Sequence, residues 1–121
     1  MRILLVDDEE ELVSSLAERL QLRGIDAAWA VSAESAMEKV AAGCPDLAVL
    51  DMKMPGIGGV ELKQRLMAVC PKMKYLFLTG YGSEAEYDAV QQDLGADHYL
   101  VKPTAIEELI KTMTRILGGD L

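Results

Sequence analysis

The sequence predicts an α/β fold in which five parallel strands form one sheet, covered on both faces by five helices. Short apolar runs rich in leucine and β-branched residues recur at 3–6, 27–31, 46–50, 74–78 and 98–101. Their starts lie about 20 to 28 residues apart, which leaves room for one helix after each strand. Strands that alternate with helices favour a parallel sheet with right-handed crossovers.

The segments between these runs carry apolar residues at helical spacing. The five stripes are Leu12, Leu16 and Leu20; Ala33, Ala36, Met37 and Val40; Leu62, Leu66 and Val69; Ala85, Ala89, Val90 and Leu94; and Leu109, Ile110, Met113, Ile116 and Leu117. Glycines suited to left-handed helix ends follow three of the segments, at Gly24, Gly43 and Gly95. Two pairs have the spacing of N-terminal capping boxes, Ser83 with Glu86 and Thr104 with Glu107.

Length and charge restrict the classes of function. The 121 residues suit one domain, and we expect it to occupy residues 1–121, with 118–121 as a short C-terminal tail. Twelve basic against twenty acidic side chains give a net charge of −8, which argues against direct nucleic-acid binding. No apolar run approaches the roughly 20 residues that span a bilayer, and no secretory signal is evident. We expect a cytoplasmic protein that does not bind membranes.

The two cysteines, Cys44 and Cys70, are each followed by proline at the end of a helical segment. With a single histidine in the chain, His98, a Cys/His zinc site lacks ligands. We expect two reduced thiols, as is usual in the cytoplasm, and an exposed His98 at the start of the fifth strand.

Polar side chains follow four of the predicted strands at the point where each strand ends. Asp7 and Asp8 follow the first strand, Asp51 the third, Thr79 the fourth and Lys102 the fifth. In an open α/β sheet, ligands bind beyond the carboxyl ends of the strands. We therefore expect these three carboxylates, one hydroxyl and one ammonium to meet at one edge.

The carboxylates of the first loop exclude a dinucleotide site or a P-loop, both of which need glycines there. Converging carboxylates repel one another unless they share a cation, and a hard divalent ion such as Mg²⁺ suits Asp7 and Asp8. Glu9, Glu10 and Glu11 are assigned to the positive end of the first helix. A carboxylate such as Asp51, beside a cation and a lysine, is arranged to accept a phosphoryl group.

Over essentially its whole length, the chain resembles the receiver domain of two-component response regulators. The resemblance rests on Asp7-Asp8, Asp51 followed by Met54-Pro55 and Gly59, Thr79, Tyr99 and Lys102-Pro103. It implies a flavodoxin-like fold with strand order 2-1-3-4-5, which places strands one and three beside the switch point. It also implies that the Lys102-Pro103 peptide is cis, as is usual in the family.

The resemblance implies a phosphoryl-accepting switch. Asp51 would take a phosphoryl group from a phosphohistidine of a sensor kinase or from a phosphotransfer protein. Mg²⁺ would be bound by Asp8, Asp51 and the backbone carbonyl of Lys53, with Asp7 acting mainly through water. Lys102 would pair with the Asp51 carboxylate and later with a phosphoryl oxygen. The domain would hydrolyse its own aspartyl phosphate slowly and would not be a turnover enzyme.

The resemblance also implies how the signal leaves the domain. Thr79 would donate its hydroxyl to the phosphoryl group, and Tyr99 would turn inward, repacking the fourth and fifth predicted helices and the fifth strand. A downstream target or a separate output domain would dock on a face that carries Glu84, Tyr87, Gln91, Glu107 and Lys111. We further expect the bulk of Tyr81 to shield the phosphoryl group from water.

Alternatives remain open from the sequence. A receiver-like interaction module that works without phosphorylation is one, although degenerate receivers usually lose an acidic residue, the threonine or the lysine. A metal-dependent phosphohydrolase is less favoured, because Lys53 stands where that class needs a second aspartate. The chain is either a standalone protein or a piece of a longer regulator, and a homodimer formed on phosphorylation stays open.

Overall fold

A computed structural model describes residues 1–80, 88, 91–92, 98–119 and 121. The strands are β1 (Arg2–Val6), β2 (Asp26–Ala30), β3 (Leu47–Leu50), β4 (Lys74–Thr79) and β5 (Tyr99–Val101). They form one sheet in the order β2-β1-β3-β4-β5, and every neighbouring pair is parallel. The predicted flavodoxin-like order is confirmed, and each predicted strand end lies within one residue of the observed one.

Four helices lie within the described residues: α1 (Glu10–Gln21), α2 (Ala33–Ala42), α3 (Gly59–Val69) and α4 (Ile106–Leu117). They correspond to the first, second, third and fifth predicted helices. The fourth predicted helix, its Ser83–Glu86 capping box and the glycine at 95 lie outside the described residues. Of the residues around them, Asp88, Gln91 and Gln92 are described and helical.

The sheet buries both of its faces, as the doubly wound prediction requires. Alternate residues of β1 point to opposite sides, so that Ile3 belongs to one apolar cluster and Leu4 to the other. The first cluster joins the sheet to α1 and α4, and the second joins it to α2 and α3. All four residues of β3 are buried, because β3 lies between β1 and β4 and is covered on both faces.

Two of the predicted apolar stripes match the buried face only in part: Leu20, Leu62 and Leu66 are buried as predicted, whereas other members lie one residue away from the buried positions. In α1 the buried residues are Val13, Ala17 and Leu20, while Leu12 is 40% exposed. In α3 the spacing of four continues past the helix from Leu62 and Leu66 to Cys70, while Val69 is 45% exposed. One residue is about 100° around a helix, so a neighbouring position faces a different side.

The glycine predictions hold only in part. Gly24 has the left-handed conformation, with φ of 78°, but it lies in the turn beyond the α1 C-cap, Leu22. Gly43 is the C-cap of α2, yet its backbone is extended, so the left-handed prediction is wrong there. Gly118 supplies the left-handed C-cap of α4, and its amide donates to the Thr114 carbonyl.

The capping box predicted at Thr104 and Glu107 is wrong. Ala105 is the N-cap of α4, so Thr104 precedes the capping position, and the cap has no side-chain hydrogen bond. A cap that the sequence analysis missed begins α2, where the Ser32 hydroxyl accepts from the Ser35 amide at 3.1 Å.

The prediction of two reduced thiols is also wrong, because Cys44 and Cys70 form a disulfide with their Cα atoms 5.8 Å apart. Cys44 follows the end of α2, and Cys70 is the C-cap of α3. Both helices cover the same face of the sheet and end at the same edge, which brings the cysteines together. A separation of 26 residues, spanning one strand and one helix, returns the chain to that edge.

In the part of the chain that the structure describes, no helix has the length and apolarity to span a membrane.

Candidate phosphoacceptor site

Backbone hydrogen bonds that continue past the strands fix the residues of the site. The Asp51 amide donates to the Val6 carbonyl at 3.0 Å, and the Asp7 amide donates to the Ala30 carbonyl at 3.1 Å. The Lys102 amide likewise donates to the Thr79 carbonyl at 2.7 Å. Asp7, Asp51 and Lys102 therefore directly follow the carboxyl ends of β1, β3 and β5, as the sequence analysis placed them.

Three carboxylates converge at this edge. Asp7, Asp8 and Asp51 each offer an oxygen atom within 4.8 Å of the others. Asp7 and Asp51 are only 7% and 6% exposed, whereas Asp8 is exposed to solvent. Oxygen ligands of this type, some buried and one open to water, fit a hard divalent cation that keeps part of its hydration.

The electrostatics of Asp51 point the same way. Burial raises the pKa of its carboxyl, and the negative charges of Asp7 and, to a smaller extent, Asp8 raise it further. The Lys53 amide, which donates to Asp51 Oδ1 at 3.3 Å, and the charge of Lys102 oppose that rise without cancelling it. The ionised carboxylate is therefore less stable here than in an exposed aspartate, and a bound cation would relieve the repulsion.

The structure pairs Lys102 with Asp7 instead of the expected Asp51. Its ammonium lies 2.5 Å from Asp7 Oδ2 and 3.5 Å from Glu9 Oε1. Burial lowers the pKa of Lys102, but the hydrogen bond to Asp7 and the charges of Asp7, Asp51 and Glu9 outweigh it, so the net shift is upward. Lys102 is therefore held as a cation whose charge acts on Asp51 from one side.

Asp7 is the anchor of this arrangement because both of its carboxylate oxygens have partners. Oδ1 accepts from the Glu9 amide at 2.9 Å, and Oδ2 accepts from the Lys102 ammonium. Glu9 is the N-cap of α1, and the sequence analysis assigned it only to the helix dipole. Its contact with Lys102 was missed, since the sequence predicts which strand ends meet at this edge but not which individual side chains contact one another.

Thr79 lies on β4 and Tyr99 on β5, the two strands that follow β3 in the sheet order. Thr79 is the last residue of β4 and is 1% exposed. Tyr99 begins β5, pairs in register with Phe77 and is buried with it in the α2–α3 cluster. His98, which directly precedes β5, is half-buried and not exposed as predicted. Tyr81 lies outside the described residues, so its predicted shielding role has no structural test.

The loop after Asp51 packs against the site through Gly59. The Gly59 amide donates to the Met52 carbonyl at 3.0 Å. A Cβ atom at this position would lie 2.5 Å from the Asp51 carbonyl oxygen and 3.0 Å from the Phe77 ring. Only glycine lets α3 begin this close to the end of β3. The Lys102-Pro103 peptide on the opposite side is cis, as the resemblance implied.

A cavity of about 510 Å³ lies beside the acidic cluster. Its lining includes Asp7, Asp51 and Lys102 together with apolar residues of the sheet and α1, among them Leu5 and Leu16. The exposed Leu12 also borders this cavity.

The model of the response regulator receiver domain family matches residues 3–114. This chain belongs to that family. Receiver domains of response regulators are signalling modules of two-component systems, so the family membership supports the fold and the class of function together.

Relatives extend the likeness to almost the whole receiver domain. The response regulator MprA of Mycobacterium avium is 38% identical over 117 residues, which cover 97% of this chain and 51% of MprA. A CheY-like receiver domain protein from Methanospirillum hungatei has a crystal structure that superposes with a TM-score of 0.86 at 30% identity, covering 97% of this chain and 93% of that one. The chain spans between a third and a half of the first curated relatives it matches.

A second similar structure carries information about chemistry. It is a response regulator from Burkholderia pseudomallei, described with a phosphorylated aspartic acid, a calcium ion and citrate. The two chains are 28% identical and superpose with a TM-score of 0.84, covering 97% of this chain and 68% of the other.

The predicted docking face is described only in part. Gln91, Glu107 and Lys111 are exposed on helical segments, in agreement with a surface role. Glu84 and Tyr87, which were assigned to the same face, lie outside the described residues.

Proposed function

We propose that this receiver domain, over residues 1–121 with 118–121 as its tail, is a phosphoryl-accepting switch in a two-component phosphorelay. Asp51 is the acceptor, and the donor is a phosphohistidine of a sensor histidine kinase or of a phosphotransfer protein. The observation that carries this proposal is the buried Asp51 carboxylate, set among Asp7 and Asp8 with the Lys102 ammonium nearby.

The carboxylate cluster fits a divalent cation, and Mg²⁺ is the proposed one. Asp8, Asp51 and the backbone carbonyl of Lys53 would hold it directly, and Asp7 would hold it mainly through water. When bound, Mg²⁺ neutralises negative charge on the transferring phosphoryl group. The phosphorylated aspartic acid and calcium ion of the Burkholderia relative support the same pairing of acceptor and divalent cation here.

The residues of the chain divide the transfer among them. An Asp51 oxygen attacks phosphorus, so a P–O bond forms while the P–N bond to the donor imidazole breaks and the imidazole takes a proton. The Lys102 ammonium then contacts a phosphoryl oxygen, and the Thr79 hydroxyl donates to another. Lys102 already lies at the site as a cation through Asp7, so little rearrangement is required.

Signalling follows from the positions of Thr79 and Tyr99. When Thr79 moves toward the phosphoryl group, the loop after β4 moves with it, and Tyr99 fills the space beside β4. The surface of α4 and β5 changes shape, and a downstream protein target or an output domain reads it. We place the domain in the cytoplasm, and we assign it slow hydrolysis of its own acyl phosphate without turnover of an external substrate.

Intact mass measurement tests this proposal directly. The protein is incubated with a small acyl phosphate and Mg²⁺, beside the variants Asp51→Asn and Asp26→Asn. Asp26 is an exposed aspartate at the amino end of β2, so it is a matched control for the same substitution. We expect one added phosphoryl group on the wild type and on Asp26→Asn, and none on Asp51→Asn or without the metal.

Two outcomes would contradict the proposal. An adduct that persists in Asp51→Asn would move the acceptor to another residue. If neither acyl phosphate nor a phosphorylated kinase yields an adduct, and Mg²⁺ leaves the unfolding midpoint unchanged, the domain is an interaction module that works without phosphorylation.

A further inference from the structure

The disulfide between Cys44 and Cys70 has no part in the proposed phosphoryl transfer. We propose that this pair is a reversible thiol–disulfide modification site, opened by a dithiol reductant and closed again by disulfide exchange. Its redox state controls how readily the last turn of α3 opens locally. This helix follows the loop after Asp51.

The disulfide closes the segment that carries the acceptor. Residues 44–70 contain β3, Asp51, the loop after it and the whole of α3. The bond lies at the amino end of β3, which places it about 13 Å from Asp51 along a strand of four residues. A change in the bond therefore acts on this segment without touching the carboxylate cluster.

The two cysteine residues differ in exposure. Cys44 is exposed, whereas Cys70 is 2% exposed and packs in the α2–α3 cluster. A reductant thiolate attacks the Cys44 Sγ, the S–S bond breaks, and its electron pair leaves on the Cys70 Sγ, which takes a proton. The second thiol of the reductant then attacks the mixed disulfide, releasing the Cys44 thiol and leaving the reductant oxidised by two electrons.

The reduced form has a place in the same fold. A buried free cysteine behaves as a small apolar side chain, so Cys70 can stay within its cluster. The Cys44 Sγ lies 3.9 Å from the Val69 carbonyl oxygen, which can accept the weak hydrogen bond of the new thiol. Both redox states therefore satisfy the local contacts, and neither requires the domain to unfold.

Backbone hydrogen bonds hold both ends of the segment without the disulfide. The Asp46 amide donates to the Arg2 carbonyl at 2.9 Å, and the Lys74 amide donates to the Asp46 carbonyl at 2.9 Å. The Met73 amide donates to the Cys70 carbonyl at 3.1 Å. Reduction thus leaves the sheet intact and removes the covalent link between the ends of α2 and α3.

Reduction of the disulfide is expected to loosen the last turn of α3 more than any other part of the segment. Met67 and Val69 are 41% and 45% exposed, so their side chains add little burial there. In the proposed cytoplasmic location, disulfides are typically transient and redox-sensing. The inference takes the cytoplasmic location from the proposed function, but exchange at Cys44 does not require Asp51 to accept a phosphoryl group, so the two proposals fail separately.

The first test is a redox titration of the native chain. The protein is equilibrated in mixtures of reduced and oxidised glutathione, the free thiols are alkylated, and the intact mass is measured. We expect zero or two alkyl groups per molecule, with the two forms exchanging reversibly across the mixtures. The proposal would be overturned if the bond persists when the folded protein is treated with excess dithiol. It would also be overturned if the two thiols never pair in oxidised glutathione.

Two single-cysteine variants test which sulfur exchanges. Cys70→Ala leaves the exposed Cys44, which we expect to capture glutathione as a mixed disulfide. Cys44→Ser leaves the buried Cys70 and is the matched control, expected to remain free while the domain is folded. Equal capture by both variants would contradict the assignment of Cys44 as the attacked sulfur.

Amide hydrogen exchange of the wild-type protein, in its oxidised and reduced forms, tests whether the disulfide controls the last turn of α3. We expect reduction to speed amide exchange in the last turn of α3 about tenfold, while β1 and α4 stay unchanged. Identical exchange of α3 in the two redox states would show that the bond does not control this turn, and the proposed device would be excluded.

Discussion

The two ends of strand β3 are built on opposite principles. At its amino end, the exposed Asp46 accepts a hydrogen bond from the Arg2 amide at 2.7 Å, and the disulfide lies close by. At its carboxyl end, Asp51 is buried with like charges nearby, and its pKa is raised by that burial and by Asp7. One end gathers stabilising contacts, whereas the other accumulates electrostatic repulsion.

This contrast indicates where the domain places its function. Perturbed carboxylates cluster where binding or chemistry is to occur, because a ligand or a transferred group can relieve the repulsion. Between the two ends, the four buried residues of β3 are paired with both neighbouring strands. A well-anchored strand holds the destabilised carboxylate in place, so the repulsion is not relaxed by local movement.

The largest expected effect comes from breaking the close packing at the carboxyl end. Gly59→Ala places a methyl group 2.5 Å from the Asp51 carbonyl oxygen and 3.0 Å from the Phe77 ring. Relieving the clash with the carbonyl oxygen requires a shift of the backbone. We expect the free energy of unfolding to fall by about 2–3 kcal/mol, measured by urea denaturation. Because alanine favours helices more than glycine does, the loss would be steric in origin.

Gly119→Ala is the matched control for this substitution. A Cβ atom there meets nothing within 4 Å, and the residue lies beyond α4. We expect a change of less than about 0.5 kcal/mol. If both variants lose the same stability, the close approach of α3 to β3 is not what requires glycine at position 59.

A smaller effect of opposite sign is expected from removing the charge of Asp51. The pKa of this carboxyl is raised above the ordinary value of 3.8, so the folded state binds its proton more tightly than the unfolded state. Stability therefore falls as pH rises through the interval between the two pKa values. Asp51→Asn has no such loss, and we expect it to be roughly 1 kcal/mol more stable at pH 7 without divalent cations.

The pH dependence decides whether that gain is electrostatic. The difference between Asp51→Asn and the wild type should shrink as pH falls toward 3.8, and Mg²⁺ should reduce it at pH 7 by stabilising the wild type more than the variant. Urea denaturation at several pH values, with and without the metal, makes the comparison. A difference that stays constant with pH would assign the gain to packing instead of charge.

The sequence could predict the strand ends and the site residues but not the contacts between their side chains. The strand ends and the order of site residues follow from apolar runs and from the polar residues that interrupt them, which are local signals. The pairing of Lys102 with Asp7, the contact of Glu9 with Lys102 and the Cys44–Cys70 bond depend on which side chains the fold brings together. Local pattern does not encode those distances, and the choice of buried positions in α1 likewise depends on its tertiary neighbours.

The smallest expected effect lies at the amino end of β3. Asp46→Asn removes a charge but keeps a carbonyl oxygen that can accept from the Arg2 amide, and the residue is exposed. We therefore expect a loss of no more than about 0.5 kcal/mol in urea denaturation, opposite in sign to the effect of Asp51→Asn. Asp26→Asn is again the control, since it removes an exposed charge from β2, at the position that pairs with Arg2 of β1. A loss above about 1.5 kcal/mol for Asp46→Asn alone would mean that the amino end depends on charge, and the two ends would then differ less than their contacts suggest.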